Sequence, residues 1–472
     1  MVHVAIIGAY GSAGVAAAER LLEARDAGEL VNLELSLIDD GDPPGGLCIL
    51  RGCMPSKDVL SAGAHRFQAR HDSRLDGVTE VDPTKVIDRK NRHVNSFAEH
   101  RRAGVEQLAD REEVTLYRER GTFVDAHTLK VGDERIEFDY VIVATGSNPF
   151  IPPIPGMDDI NPKTSADVLE MTDFPDRAIV VGFGFIGLEL VPYLVEVGDT
   201  EVTVIDRNER PLGDADPTFG ETVVELYRDL FDVEVVTAAE ASGVRRTKEA
   251  IELTYTAQGE EGTTSGDELF VFTGRSPNVE GLGLETIGVD TVGPLVTETM
   301  QTIEQPHVLI AGDANGHEPI LHVAKEEGIT AARNVVRMAN DDQVEPYEPL
   351  THRIVFSGLG VYPFARLGHT EASARAADIN AISVKRHASD DGVFKTKDVP
   401  AGLAKLVVDG DSRRVIGYQG LHHHADVFAK TMQIVIELGL RVDELPDRAY
   451  HPTTPEMLDG LIREASERLA TV

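Results

Sequence analysis

Residues 2–14 read VHVAIIGAYGSAG, and the first part of the fold can be predicted from them. An apolar run that ends in closely spaced glycines predicts a buried strand followed by a tight turn, and the alanine-rich residues after it predict a helix. A second apolar run, residues 33–38, ends on Asp39. This series is typical of a dinucleotide-binding unit, in which backbone N–H groups at the helix start approach a pyrophosphate and the acid accepts a hydrogen bond from a ribose hydroxyl.

The glycine spacing in this first turn is irregular. Gly11 and Gly14 fit the last two positions of the dinucleotide-binding fingerprint, whereas Gly8 lies one residue too early and Ala9 stands in its place. An ordinary tight connection between a strand and a helix explains the turn equally well, so the turn alone does not decide between the two.

A second turn, residues 182–187, reads GFGFIG and matches the G-x-G-x-x-G fingerprint completely. It follows an apolar run at residues 177–181, and the next apolar run ends on Asp206. Two such units, with first glycines about 170 residues apart, predict two bound dinucleotides.

The last third of the chain differs from the two glycine-rich units. Strand-to-turn segments at residues 140–147 and 269–278 still belong to the earlier pattern, and the proline-rich residues 149–155 predict a linker between domains. After about residue 346, strand-like and helical periods follow without another glycine fingerprint. We therefore predict the α/β fold class, with two Rossmann-like domains and a separate C-terminal α+β domain.

The composition is strongly acidic. The 472 residues include 45 Lys and Arg against 80 Asp and Glu, a formal net charge of −35, which argues against nucleic acid or an anionic membrane as a partner. Only 12 of the basic residues are lysines and the acids are spread along the chain. This is typical of a halophile, in which salt screens self-repulsion; a merely acidic surface kept for solubility is the alternative. Because the sequence has no long apolar run and no basic leader, we expect a cytoplasmic protein.

The chain has two cysteines, Cys48 and Cys53. Two are too few for a disulfide scaffold or, without nearby histidines, for a closed zinc site, and we predict no metal. On an ideal helix, Cα atoms five residues apart are separated by roughly 8.6 Å, whereas a disulfide needs less than about 7 Å. If the two cysteines bond, the helix is distorted, which Gly52 makes easier. A disulfide that strains its backbone is readily reduced, so the spacing indicates redox chemistry.

The segment around these cysteines, residues 45–57, reads GGLCILRGCMPSK and resembles the redox centre of the flavin-dependent pyridine nucleotide–disulfide oxidoreductases. Further stretches extend the resemblance over nearly the whole chain: both dinucleotide units, ATGS at 144–147, TGRSPN at 273–278, AGD at 311–313 and HPTTPE at 451–456. The resemblance implies FAD-binding segments at residues 1–155 and 269–345, an NAD(P)H-binding domain at 156–268 and a dimerisation domain at 346–472.

The resemblance assigns chemistry to four residues around the flavin. Cys48 would exchange with the substrate disulfide, and Cys53 would lie against the flavin and form a charge-transfer complex as the thiolate. Lys57 and Glu189 would form an ion pair beside the reactive nitrogen of the flavin. A thiol attacks a disulfide as the thiolate, so these roles agree with the chemistry of thiol exchange.

A histidine and a carboxylate would complete the site. His451 would protonate the leaving thiol and Glu456 would orient its imidazole; in the family both come from the opposite subunit, which makes the homodimer obligate. The cofactor-binding residues implied are Gly8, Gly11, Gly14, Asp39, Lys57, Thr145, Gly146, Gly182, Gly184, Gly187, Asp206, Arg207, Gly274 and Asp313.

The implied reaction passes electrons from NAD(P)H through the flavin and the redox disulfide to a low-molecular-weight disulfide. The halophilic composition favours bis-γ-glutamylcystine, since halophilic archaea are thought to use γ-glutamylcysteine in place of glutathione. A dihydrolipoamide dehydrogenase is the alternative, whereas a mercuric reductase would carry further cysteines, and the retained redox residues disfavour a non-catalytic flavoprotein. Asp206 favours NADH and Arg207 favours NADPH; we predict NADPH, with NADH not excluded.

Overall fold

The computed structural model describes residues 1–77 and 80–471. Residues 78–79, within the first predicted FAD-binding segment, and Val472, the last residue of the predicted dimerisation domain, lie outside the described residues. Tertiary contacts divide the chain into two units. The first comprises Met1–Lys57, Asp88–Phe150 and Arg275–Pro349, and the second comprises Asp58–Ile87, Ile151–Gly274 and Leu350–Val472.

The described chain combines β-strands with α-helices. The strands are β1 Val2–Ile7, β2 Leu33–Ile38, β3 Val114–Tyr117, β4 Gly121–Asp125, β5 Thr128–Val131, β6 Glu134–Glu137, β7 Tyr140–Val143, β8 Ser147–Pro149, β9 Arg177–Val181, β10 Glu201–Ile205, β11 Glu234–Val236, β12 Ala239–Arg246, β13 Ile251–Ala257, β14 Glu260–Gly266, β15 Glu268–Val271, β16 Arg275–Pro277, β17 Val308–Ile310, β18 His352–Val355, β19 Phe364–Gly368, β20 Ala381–His387, β21 Gly402–Asp409 and β22 Val415–His422. The helices are α1 Ser12–Asp26, α2 Leu47–Leu50, α3 Cys53–His71, α4 Pro83–Ala109, α5 Ser165–Val168, α6 Phe185–Gly198, α7 Pro217–Phe231, α8 Leu321–Ala339, α9 Glu371–Ala376, α10 Gly392–Thr396, α11 Ala425–Glu437 and α12 Glu456–Thr471. Among the described residues, no helix combines the length and apolar character needed to cross a membrane.

A parallel sheet in the order β17-β7-β1-β2-β3 forms the centre of the first unit. Val4, Ala5 and Ile6 of β1 are fully buried, as expected for a parallel sheet covered on both faces. Val4 and Ile6 pack with α1 and α8 on one face, and Ala5 packs with the antiparallel sheet β4–β6 on the other. The carboxyl ends of the parallel strands share one edge, so the turns that follow them lie together.

The second unit repeats this arrangement and adds a further sheet. Its parallel sheet has the order β11-β10-β9-β15 and packs with the antiparallel sheet β12–β14. The C-terminal part contains an antiparallel sheet in the order β18-β19-β22-β21-β20, against which α11 and α12 pack. The predicted fold class, with two Rossmann-like parallel sheets and a C-terminal α+β region, is confirmed.

Candidate functional site

The first glycine turn joins β1 to α1. Gly8 has a φ of 97°, and a Cβ there would lie 2.3 Å from the carbonyl oxygen of Ala144, which follows β7. A Cβ at Gly14 would lie 2.3 Å from the carbonyl oxygen of Gly8, so α1 packs directly on the turn. Gly8 therefore occupies the first fingerprint position, and the turn contains one additional residue before Gly11. The interpretation that Ala9 stands in this position is wrong.

Asp39, directly after β2, faces this turn. Its two carboxylate oxygens accept hydrogen bonds from the backbone N–H groups of Tyr10, at 3.0 Å, and Gly41, at 2.9 Å. The guanidinium of Arg118 lies 3.7 Å from the carboxylate. These contacts fix the orientation of Asp39, and each of its oxygens keeps a lone pair for a ligand.

A cavity of about 460 Å³ lies over the carboxyl ends of β1, β2, β7 and β17, the edge at which open parallel sheets bind ligands. It is lined by both cysteines and by most residues predicted to contact FAD, namely Gly8, Gly11, Asp39, Cys48, Cys53, Thr145, Gly146 and Asp313. Gly14 and Lys57 are not among its lining residues. Such a cavity fits a dinucleotide, because the N–H groups of a glycine turn at a helix start can bind a pyrophosphate and a fixed carboxylate can bind a ribose.

The helix around the cysteines is interrupted. The chain leaves α2 at Arg51, which has a φ of −143°, and α3 begins at Cys53. A Cβ at Gly52 would lie 3.0 Å from the carbonyl oxygen of Leu47, so glycine permits this close return of the chain. Cys48 and Cys53 are both half-buried, and a side-chain hydrogen bond joins the thiol of Cys48 to Cys53.

The charge state of Cys48 depends on its neighbours. A hydrogen bond with Cys53 and burial of the thiol both raise the pKa of Cys48. Arg101 on α4 opposes this shift, and its guanidinium donates to the carbonyl oxygen of Tyr10 at 2.9 Å. Arg51 is exposed, lines the cavity and has no side-chain partner among the described residues. The sequence has no motif around Arg101 that identifies it.

Asp313, which follows β17, is held by two residues without a predicted role. The hydroxyl of Ser147 donates to the Asp313 carboxylate at 2.6 Å, and Nε of Arg275 donates to the same hydroxyl oxygen at 2.8 Å. Both residues line the cavity, and burial lowers the pKa of Arg275 despite the nearby Asp313. They lie in the ATGS and TGRSPN stretches, which the pairing of β8 with β16 brings together.

A buried acid supports the turn that contains Asp313. Glu327 of α8 is 2% exposed, and its Oε2 accepts hydrogen bonds from the N–H of Gly312, at 2.7 Å, and the side-chain amide of Asn315, at 2.8 Å. Burial raises the pKa of Glu327 to about 7. The residue has no predicted role, because an acid within a helix normally faces solvent.

The second glycine turn joins β9 to α6 and lacks the additional residue. Gly182 has a φ of 101°, and a Cβ there would lie 2.6 Å from the carbonyl oxygen of Phe272. A Cβ at Gly187 would lie 2.6 Å from the carbonyl oxygen of Gly182. Gly184 differs, since its φ is −76° and a Cβ there would meet no atom within 4 Å. The protein's own packing does not require glycine at this position, so the space is available to a ligand.

Asp206 follows β10 and faces the second turn. Its carboxylate accepts hydrogen bonds from the N–H groups of Phe183 and, at 2.7 Å, Asn208, and the residue is 5% exposed. Arg207 is exposed, and Gly274, which follows β15, has a φ of 99° and open space around its Cβ position. The residues predicted to contact the nicotinamide cofactor thus lie together at the carboxyl ends of this sheet.

The predicted ion-pair partners belong to different units. Lys57 is a half-buried residue of α3 at the end of a segment of the first unit, and its Nζ lies 3.5 Å from the hydroxyl oxygen of Ser56. Glu189 of α6 belongs to the second unit and accepts a hydrogen bond from the N–H of Phe356 at 3.1 Å. The pairing of Lys57 with Glu189 stays a prediction.

Glu456 begins α12 in the second unit, and His451 lies five residues before the helix. Glu456 is the first residue of the helix and is half-buried, whereas His451 is exposed. Among residues 1–77 and 80–471, no hydrogen bond joins the two side chains. An exposed histidine is accessible to a second copy of the chain, and the roles of both residues stay predictions.

Three adjacent histidines precede α11. His422 is fully buried, its ring is hydrogen-bonded to the hydroxyl of Tyr418 at 2.9 Å, and burial lowers its pKa to about 4. The ring of His423 contacts the carbonyl oxygen of Val361 at 3.2 Å, and burial lowers its pKa to about 4 as well. In the part of the chain that the structure describes, no group of three or more His, Cys, Asp or Glu side chains is placed to hold a metal ion.

Comparison with known proteins gives consistent matches along the chain. The model of the pyridine nucleotide-disulphide oxidoreductases matches residues 2–337, and the model of their dimerisation domain matches residues 353–462. A mercuric reductase of Acidithiobacillus ferrooxidans is 31% identical over an alignment of 488 positions, gaps included, that covers 97% of this chain and 81% of the relative. A dihydrolipoyl dehydrogenase of Haloferax volcanii is 29% identical over an alignment of 447 positions that covers 90% of this chain and 89% of the relative. The solved structure of LpdA from Mycobacterium tuberculosis has a TM-score of 0.81 at 24% identity, over 99% of this chain and 100% of that chain, which supports the fold.

Proposed function

The chain belongs to the pyridine nucleotide-disulphide oxidoreductase family, as an NAD(P)H-dependent flavoprotein, and we propose on this premise that it reduces a small anionic disulfide. The supporting observation is that the first glycine turn, its acid and both cysteines line one cavity. FAD, when bound there, supplies the two-electron link between the nicotinamide and the dithiol. Gly8 and Gly11 would approach its pyrophosphate, Asp39 its ribose and Asp313 its ribityl chain.

Side chains of the protein account for each sulfur bond that changes. Two electrons reduce the Cys48–Cys53 disulfide to two thiols. Cys48 attacks the substrate disulfide as the thiolate, the substrate S–S bond breaks, and the first product thiol leaves with a proton from His451. Cys53 then attacks the sulfur of Cys48, which re-forms the internal disulfide and releases the second product thiol. In sum, NAD(P)H, one proton and one disulfide give NAD(P)⁺ and two thiols.

The charges near Cys48 favour an anionic substrate. Arg51 is exposed on the cavity wall without a side-chain partner among the described residues, and Arg101 stabilises negative charge on Cys48. A guanidinium binds a carboxylate through two parallel hydrogen bonds. Bis-γ-glutamylcystine carries several carboxylates and is the substrate we propose, whereas lipoamide presents an uncharged dithiolane.

Steady-state assays in molar salt with bis-γ-glutamylcystine, glutathione disulfide and lipoamide test this proposal. We expect the highest kcat/KM with bis-γ-glutamylcystine. Arg51→Leu should raise its KM about tenfold, since hydrogen bonds to charged groups contribute about 1.5–3 kcal/mol. Arg51→Lys should keep most of the affinity, and flavin reduction by NADPH should be unchanged in both variants. A higher kcat/KM for lipoamide would instead establish the dihydrolipoamide dehydrogenase alternative.

The active form we propose is a homodimer in which His451 and Glu456 serve the second copy. Both residues lie within the segment that matches the family's dimerisation domain, and His451 is exposed in the single chain. Mixing Cys48→Ser chains with His451→Ala chains should restore activity, because a heterodimer then has one intact site. Verified heterodimers without activity would count against the shared site.

The electron donor we propose is NADPH. Arg207 is exposed and without a side-chain partner in the described chain, so it is free to bind a 2′-phosphate. The two backbone N–H groups that bind Asp206 offset part of its repulsion of that phosphate. Arg207→Gln should lower kcat/KM for NADPH about tenfold and leave that for NADH unchanged. A wild-type preference for NADH above tenfold would contradict this choice.

A further inference from the structure

A second cavity, of about 320 Å³, lies in the second unit, where β20 and β21 meet the start of α7 and the end of α12. Its wall contains three cationic side chains, Lys385, Lys405 and Arg468, and one acid, Asp216. The volume is at the lower end of the range for small-ligand pockets. None of the residues assigned to the disulfide chemistry or to the cofactors lines this cavity.

Lys385 and Lys405 are direct partners across the antiparallel pair β20–β21. Like charges directly opposite each other destabilise a sheet. The chain has only 12 lysines among 472 residues and a formal net charge of −35, so its composition does not favour such a pair by chance. An anion beside these two ammonium groups would add to the counter-charge that the chain itself supplies.

The chain neutralises only one of these two lysines. Nζ of Lys405 lies 2.8 Å from Asp216 and 2.7 Å from Glu371. Burial acts to lower the pKa of Lys405, but its contacts with these carboxylates outweigh burial and raise it, so Lys405 stays charged. Lys385 is exposed, and its ammonium has no partner among the described residues.

Arg468 and Thr218 add donors to the wall. The guanidinium of Arg468 donates to the carbonyl oxygen of Ser383 at 2.9 Å and pairs with Glu464 at 2.7 Å, which holds it beside the cavity. The hydroxyl of Thr218 has no partner in the described chain. The one acid on the wall, Asp216, is already bound by Lys405 and by the side-chain amide of Gln419.

We propose that this cavity binds a small phosphate-bearing anion. Its hydrogen-bond donors come from four separate elements and not from a single guanidinium. Such a set suits the several oxygens of a tetrahedral oxyanion better than the two coplanar oxygens of a carboxylate. Lysine binds phosphate as a point charge. In molar salt the screening length is about 3 Å, so recognition depends on direct contacts with Lys385, Lys405 and Arg468.

Calorimetric titration of the FAD-loaded dimer with inorganic pyrophosphate tests the proposal, with saturating NADP⁺ present to keep pyrophosphate out of the nicotinamide site. We expect saturable binding at one site per chain. Lys385→Gln should weaken binding at least tenfold, whereas Lys385→Arg should stay within about threefold of wild type. Lys395→Gln, which removes an exposed lysine on α10, is the matched control and should leave the affinity unchanged. Disulfide reduction should be unchanged in all three variants.

Two further titrations distinguish the class of anion and guard against a folding defect. Pyrophosphate and inorganic phosphate should bind more tightly than tricarballylate, which has three carboxylates and no phosphate. Thr218→Val, which changes no charge, should weaken pyrophosphate binding severalfold. Tighter binding of tricarballylate, equal pyrophosphate affinity in wild type and Lys385→Gln, or the absence of saturable binding would each overturn the proposal.

Discussion

The two glycine turns perform the same structural task with different spacings. In each, the first glycine has a φ near 100° and its Cβ position is blocked by a carbonyl oxygen that follows a neighbouring strand. In each, the acid after the next strand accepts hydrogen bonds from two backbone N–H groups. The first turn has one more residue, and Asp39 borders a cavity, whereas Asp206 is buried. The first glycine and the acid therefore define such a turn. The number of residues between its glycines does not define it.

The largest effects are expected from Gly8→Ala and Gly182→Ala. Both substitutions force a Cβ into a positive φ and against a backbone carbonyl oxygen, which should cost roughly 3 kcal/mol or more. Gly8→Ala should yield protein without flavin. Gly182→Ala should keep flavin but lose its reduction by NADPH at least a hundredfold. Flavin content and stopped-flow reduction of the flavin measure the two effects. Loss of flavin from both variants would contradict the expectation that only the first turn binds FAD.

Exchange of the two acids should have smaller and separable effects. Substitution of Asp39 or Asp206 by Asn places the side-chain NH2 group against one of the two backbone N–H groups. The variant therefore loses one hydrogen bond to a charged group, which contributes about 1.5–3 kcal/mol. Asp39→Asn should weaken flavin binding about tenfold to a hundredfold, measured by fluorescence during dilution. Asp206→Asn should leave flavin binding intact and alter the KM for the nicotinamide cofactor. Asp133→Asn, which changes an exposed acid that does not line the cavity, is the control and should resemble wild type.

The middle glycines of the two turns differ in the space around their Cβ positions. A Cβ at Gly11 would lie 3.1 Å from the carbonyl oxygen of Gly8, whereas a Cβ at Gly184 would meet no atom of the chain within 4 Å. Gly184→Ala should therefore leave the thermal midpoint of unfolding unchanged and raise the KM for NADPH about tenfold, because the methyl group occupies ligand space. Gly11→Ala should lower the thermal midpoint. A destabilised Gly184→Ala would show that the protein itself requires this glycine.

The smallest effect concerns the buried acid beside the first turn. The pKa of Glu327 is raised to about 7 in the folded chain, against about 4.3 when unfolded, so stability falls as pH rises from about 4.5 to 7. Glu327→Gln keeps an acceptor for Gly312 and Asn315 but does not titrate. Its thermal midpoint should depend less on pH and exceed that of wild type by a few degrees above pH 7. Glu326→Gln, a substitution of an exposed neighbouring residue, should show the same dependence of the thermal midpoint on pH as wild type. Parallel pH profiles of Glu327→Gln and wild type would contradict the raised pKa of Glu327.

The parts of the fold that follow from local patterns were predictable. Apolar runs that end in a glycine or an acid correctly predicted β1, β2, β9 and β10, because a buried parallel strand has to be apolar along its length. Counting back from Gly11 and Gly14 failed to identify the first glycine position, because a turn accepts an additional residue without moving Gly8.

Contacts that depend on tertiary pairing were not predictable. Ser147 and Arg275 are separated by 128 residues and meet at Asp313 only because β8 pairs with β16. Glu327 and Arg101 lie in helices whose periodicity does not distinguish a buried charge from an exposed one. Sequence can therefore identify the chemical groups of such a site but not the residues that hold them in place.

Anaerobic titration of the FAD-loaded protein with NADPH determines whether Cys48 and Cys53 form a redox pair beside the flavin. Wild type should take up two electrons per chain and develop a long-wavelength band from the Cys53 thiolate beside oxidised flavin. Cys48→Ser should have this band at rest and no disulfide reductase activity, and Cys53→Ser should lack the band. Normal turnover by Cys53→Ser would show that Cys53 is not part of a redox pair.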